Sequence, residues 1–168
     1  MRRSRACLLL LPMMLSSAAH AGEPKAFCVA LANLAEVAAT TGQRQEVAVL
    51  VVEPTMDEPM VSACSRRSDV AARVAFCDSV AKHVSIEFAH AFPWMVDDCL
   101  RAAGAETTRE TVDEYTGLGS RSGKIVGLRS ILPSGVTLAI RFKPASGQES
   151  AAPQFRRLYG RYDLTLTP

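Results

Sequence analysis

Apolar residues recur along this chain with two periods, and the change between them divides it: helical spacing dominates up to Gly104, strict alternation from Glu106 onward. After Pro24, which is tolerated at a first helical position, Phe27, Leu31, Leu34 and Ala38 follow at helical spacing until Thr40-Thr41-Gly42 stops the pattern. That is a first helix. Glu46 to Glu53 reads EVAVLVVE, β-branched and nearly continuous in apolar residues, and predicts a buried strand. Pro54 and Pro59 end it, and the segment to Arg67 reads as a loop pinned by Cys64.

The longest periodic run follows. Ser68-Asp69 supplies an N-cap, and Val70, Val74, Cys77, Ala81, Val84, Phe88 and Ala91 recur at steps of three and four, with Phe76 and Val80 widening the stripe. Pro93 lacks a backbone donor and disfavours helical geometry before it, so the helix is expected to end near Phe92. Its length would be about 24 residues, or roughly 36 Å. Pro93 then starts a shorter helix through Val96, Cys99, Leu100 and Ala103, closed by Gly104, with Trp94 as a core plug at the break.

Beyond Glu106, Thr107 to Thr116 is polar and Thr-rich, the composition of an edge strand, and Gly117 to Gly123 makes a turn. Lys124 to Leu132 and Val136 to Lys143 flank Pro133-Ser134-Gly135 as a hairpin. Val136, Leu138, Ile140 and Phe142 face one way, while Thr137, Ala139, Arg141 and Lys143 face the other, so one side of the sheet is wet. After a loop from Pro144 to Pro153, a last strand places Leu158, Tyr162, Leu164 and Leu166 on a common face. The pattern is α+β: two or three helices, one long and broken by proline, on one face of a mostly antiparallel sheet of about four or five strands. The N-terminal strand is expected to join the C-terminal meander.

Arg2, Arg3 and Arg5 precede an apolar run from Ala6 to Leu15 and small residues ending Ala19-His20-Ala21, the pattern of a secretory signal peptide cleaved after Ala21. That leaves residues 22–168 as a single domain. The run is shorter than the about 20 residues that cross a bilayer, and no longer one follows, so no stable membrane insertion is expected. Removing the three arginines takes Lys plus Arg from 19 to 16 against 17 acidic residues, so the basic balance belongs to the leader and nothing points to nucleic acid. Cys28, Cys64, Cys77 and Cys99 remain, an even count that in an exported chain predicts two disulfides. Three pairings are open; the spacing favours Cys64 with Cys77 and Cys28 with Cys99, one closing a short loop onto the long helix and the other tying the first helix to its far end. Localisation in a bacterial periplasm follows from the leader and the cysteines together.

Candidate chemistry is sparse. His83, Glu87 and His90 are spaced four and three residues apart and would share one face of the long helix, two imidazoles and a carboxylate for a divalent ion. The histidines are then about 10 Å apart along the axis, too far for both to reach one zinc at roughly 2 Å, and the competing interpretation is a solvated polar stripe. Ser79, His83 and Glu87 lack a strained nucleophile turn, and no CxxC is present, so no catalytic residue and no cofactor are assigned. Asp97 is placed to pair with Arg101 four residues on.

The more informative feature is the basic, aromatic-bearing end of the chain. Phe155, Arg157, Tyr159 and Arg161 alternate onto the face opposite Leu158 and Tyr162, and Arg141 and Lys143 lie on the wet face of a neighbouring strand. Grouped arginines and aromatics are typical of protein-binding hot spots, although Glu110, Asp113 and Glu114 would neutralise part of that face. The expectation is an exported, non-catalytic protein that binds another protein, as an inhibitor or immunity-type protein. The alternatives are a structural accessory of an envelope or secretion assembly, or a metal-binding protein using the His83, Glu87, His90 face.

Overall fold

A computed structural model describes residues 23–53, 61–64, 68–84, 91–115, 121–146 and 157–168. Helix α1 (Glu23–Thr41) leads into strands β1 (Gln45–Glu53) and β2 (Val61–Cys64), then helices α2 (Ala71–His83) and α3 (Ala91–Ala102), and strands β3 (Thr107–Tyr115), β4 (Arg121–Ile131), β5 (Thr137–Pro144) and β6 (Arg157–Thr167). The strands form one sheet in the order β2-β1-β6-β5-β4-β3, antiparallel at every pairing. The C-terminal meander therefore receives the N-terminal strand on β6, and the Thr-rich β3 lies at the edge. The three helices pack on one face: α1 against α2, α3, β1 and β6, and α3 over β3 and β4.

Several expectations need correction. Val61 to Cys64 is not loop; it pairs with β1 as a sixth, edge strand, held in place by the bond from Cys64 to Cys77. The helix expected to run unbroken to Phe92 stops at His83, because Val84 takes a non-helical conformation (φ −83°, ψ 84°) while its N–H still caps the Val80 carbonyl. The shorter helix expected to start at Pro93 is present, but as α3 it begins two residues earlier at Ala91, and Pro93 is its third residue, where its missing N–H would have had no intrahelical partner. The Ser68 hydroxyl does not cap α2 either: it accepts from Val70 N at 3.0 Å, and Val70 is the N-cap with no side-chain bond. The buried stripe of α2 is accordingly Phe76, Cys77 and Val80, and Ala81 is exposed.

Trp94 is not a core plug. It is 37 % exposed, with the Arg109 guanidinium carbon 5.8 Å from its ring centroid, a cation–π contact at the surface of α3. Beneath it, Asp97 is fully buried and takes Arg101 Nε at 3.1 Å, as its spacing predicts, and Arg109 Nη1 at 3.3 Å, which clamps α3 to β3. A second buried polar residue, Gln45, accepts from both Nε and Nη2 of Arg73 at 3.2 and 3.1 Å and ties α2 to the start of β1.

The core is continuous between the helix layer and one sheet face. Phe27, Leu31, Leu34 and Ala38 of α1 are buried, as their spacing requires, above Val47, Val49 and Val51 of β1, Leu138 and Ile140 of β5, and Tyr162, Leu164 and Leu166 of β6. Strand β1, despite its near-continuous apolar sequence, buries one face through this run: Glu46 and Ala48 are exposed and Leu50 is half-buried. Two disulfides, Cys28–Cys99 and Cys64–Cys77, join α1 to α3 and β2 to α2. No helix of the described residues is long and apolar enough to cross a membrane.

One close approach governs the end of β6. At Gly160 an added Cβ would lie 2.6 Å from the Lys143 carbonyl oxygen and 2.6 Å from Phe142 Cζ, so no side chain fits without moving β5. Gly160→Ala is expected to cost about 1–3 kcal/mol by overpacking. Urea denaturation measures it, and an unchanged midpoint would show that β5 and β6 part easily at this point.

Candidate functional site

The face of the sheet away from the helices is where the side chains singled out near the C-terminus converge. Antiparallel pairing sets Arg141 of β5 opposite Asp163 of β6, and Lys143 opposite Arg161. On the β1 side Ala48 stands opposite Asp163 and Leu50 opposite Arg161. On the other side Gly127 stands opposite Arg141 and Arg129 opposite Ala139. Glu110 of β3 stands opposite Gly127. Because side chains alternate across a strand, these residues share one surface whose centre is floored by Ala48 and Ala139, while the Glu110 side chain lies over Gly127. Small residues in the middle and long charged ones around them leave a concavity of about 750 Å³ bounded by Arg44, Arg141, Lys143 and Arg161.

The electrostatics follow from the register. Lys143 and Arg161, directly opposite, would repel each other, as like charges in a cross-strand pair do. Asp163 relieves this by taking Lys143 Nζ at 2.7 Å and Arg161 Nε at 3.0 Å. One carboxylate thus serves two cations, and Arg141, which faces Asp163 in register, makes no ion pair among the described residues. Arg129 makes none either, and Arg44 is matched by Glu46 at 2.6 Å. Five cations (Arg44, Arg129, Arg141, Lys143, Arg161) therefore share the face with three carboxylates (Glu46, Glu110, Asp163) among the described side chains. Lys143 is 57 % and Arg161 38 % exposed on their side chains, so these charges remain solvated and their mutual pairs are weak.

The other residues singled out in the sequence divide as follows. Arg157 is the first residue of β6 and pairs with Glu53 of β1; Phe155 lies outside the described residues. Tyr159 does not join the wet face: it is half-buried against the core. The cause is a register shift, in which Val51 pairs with Gly160 but Val52 with Leu158, leaving Tyr159 as the extra residue of a bulge that resets the alternation. His83 is the half-buried last residue of α2, while Glu87 and His90 lie outside the described residues. The continuous helix that would set all three on one face is interrupted at Val84.

Arg44, Glu46, Arg129 and Asp163 belong to the face without having been singled out. The parity of Glu46 with Ala48 in EVAVLVVE carries a trace of it; the strand order that brings β1 beside β6 does not appear in local pattern. On the opposite side of the molecule, α1, α3 and the β4–β5 turn enclose an apolar groove of about 630 Å³, with the Cys28–Cys99 bond in its wall. The chain matches no known family model, and neither a related characterised protein nor a similar solved structure is found.

Proposed function

We propose that the protein is an exported, non-catalytic binding protein that covers part of another protein with the outer face of its sheet, as an inhibitor or immunity-type protein in the bacterial periplasm. The observation that carries this reading is the alignment of Arg141, Lys143 and Arg161 in register across β5 and β6, around a concave floor of small residues. Arginine-bearing concavities on a rigid support are typical of binding hot spots, because little side-chain freedom remains to be lost when a partner docks. The two disulfides supply that rigidity and fit an oxidising compartment.

Site-directed photo-crosslinking in cells exporting the full chain tests the proposal. A crosslinking residue at position 48, on the outer sheet face, is expected to give a discrete protein adduct. The same residue at position 39, on the exposed side of α1, is expected to give none. Adducts from position 39 alone, or none from position 48, would remove the sheet face as the binding surface.

A further inference from the structure

Resting on the assignment of the outer sheet face as the binding surface, we propose that the partner presents an extended acidic segment with carboxylates at alternate positions, laid diagonally across β6, β5 and β4. Four cations define its path. Arg161 is directly opposite Lys143; Arg141 follows two residues along β5; Arg129 is diagonal to Arg141, since its own partner is Ala139. In sheet geometry these steps are about 5 Å, about 7 Å and about 7–8 Å. The last two match the about 6.7 Å between residues i and i+2 of an extended chain, the distance at which side chains on one side of a strand repeat.

Among the described residues, the carboxylates do not match these cations one for one. Asp163 is shared between Lys143 and Arg161, and Arg141 and Arg129 make no ion pair among the described residues. Glu110 is the carboxylate beside the line, its side chain lying over Gly127, where an added Cβ would meet its Oε2 at 3.0 Å. The floor at Ala139 gives an incoming chain room to approach the backbone beside Arg141, and the arginines can take carboxylates in their planar fork. The same line suits a strand that alternates acidic with small or polar residues better than a block of consecutive acids, half of which would point away.

The test uses the purified full chain and two fluorescently labelled synthetic peptides of identical composition. One has glutamate at every second position between serines and glycines; the other has the glutamates in one block. Anisotropy at low ionic strength is expected to show saturable binding, tighter for the alternating peptide and weakened as salt is added. The Arg129→Glu/Arg141→Glu variant, both positions being exposed, is expected to lose about tenfold or more of that affinity with an unchanged melting temperature. Equal binding of the two peptides, no loss in the variant, or tighter binding of a single-stranded oligonucleotide of equal charge would overturn the inference. If position 48 still crosslinks a protein while the peptides fail, the acidic-segment assignment falls and the binding face stands. Failure of the crosslink removes both.

Discussion

Phe92→Ala is expected to lower the unfolding free energy by about 3–5 kcal/mol, the cost of emptying a large aromatic site in a core that relaxes only partly. Phe92 is fully buried and stands where the three helices and the sheet meet. Its ring is 6.5 Å from Phe27 of α1, 6.3 Å from Phe76 of α2 and 5.9 Å from Tyr162 of β6, and Tyr162 continues the series to Phe142 of β5 at 4.9 Å. Tilted and edge-on contacts of this kind add to simple burial, and all three contacts to Phe92 are lost together. A domain of this length is stable by about 5–15 kcal/mol, so the variant stands close to unfolding at growth temperature. Urea unfolding followed by far-ultraviolet circular dichroism measures it. Trp94→Ala, two residues away but at the surface, is the control and is expected to cost under about 1 kcal/mol beyond the lost Arg109 contact. Equal effects from the two would place the centre of the core elsewhere.

The contrast between Phe92 and Trp94 also shows where the sequence was informative. Spacing alone identified the inward faces of α1, β5 and most of β6, because regular periodicity and one-sided burial are the same fact seen in two ways. It identified Cys28 with Cys99 and Cys64 with Cys77 as the favoured pairs. It failed where one residue changes phase. The helical stripe through Val84 to Ala91 reads as unbroken, yet Val84 leaves the helix, and the shorter helix expected to start at Pro93 begins at Ala91, with Trp94 at the surface. The strand stripe through Phe155 to Arg161 reads as unbroken too, yet the bulge at Tyr159 moves that ring onto the core. The bulge is a one-residue deviation within a strand, and no propensity scale records it.

The candidate face was half legible for a related reason. Arg141 and Lys143 could be set on a wet surface by parity within β5, and Arg161 by parity within β6 after the bulge. Their mutual register, the shared Asp163, and the arrival of Glu46 and Ala48 from the other end of the chain depend on which strands are neighbours. The region of the longest helical run, with its two cysteines, is the scaffold for that face: α2 and α3 bury Phe76, Val80, Phe92 and Val96 against the sheet and anchor both crosslinks. The alternative of a metal held by His83, Glu87 and His90 assumed that all three share one continuous helix face; α2 ends at His83, and Glu87 and His90 lie outside the described residues.

Removing the two crosslinks separately is expected to have unequal effects. Cys28–Cys99 closes a separation of 71 residues and Cys64–Cys77 one of 13. Loop-closure entropy in the unfolded chain gives about 4 kcal/mol for the first and about 3 kcal/mol for the second. The shorter loop lies within the longer, so the longer bond constrains a somewhat smaller effective loop when both are present, but the logarithm makes that correction a few tenths of a kcal/mol and the order survives. The structural consequences differ more than the energies. Cys28→Ala/Cys99→Ala releases α1 from α3 across the apolar groove and is expected to lower the midpoint of global unfolding with little change in local protection. Cys64→Ala/Cys77→Ala frees β2, a four-residue edge strand with β1 as its partner, and a strand that short does not hold by pairing alone. Amide hydrogen exchange is expected to show Val61 to Cys64 opening far below the global free energy in that variant, while Phe92 and Tyr162 stay protected. A larger loss of global stability from the short crosslink than from the long one would mean that the unfolded chain already holds residues 28 and 99 near each other, so that the bond between them has little freedom left to remove.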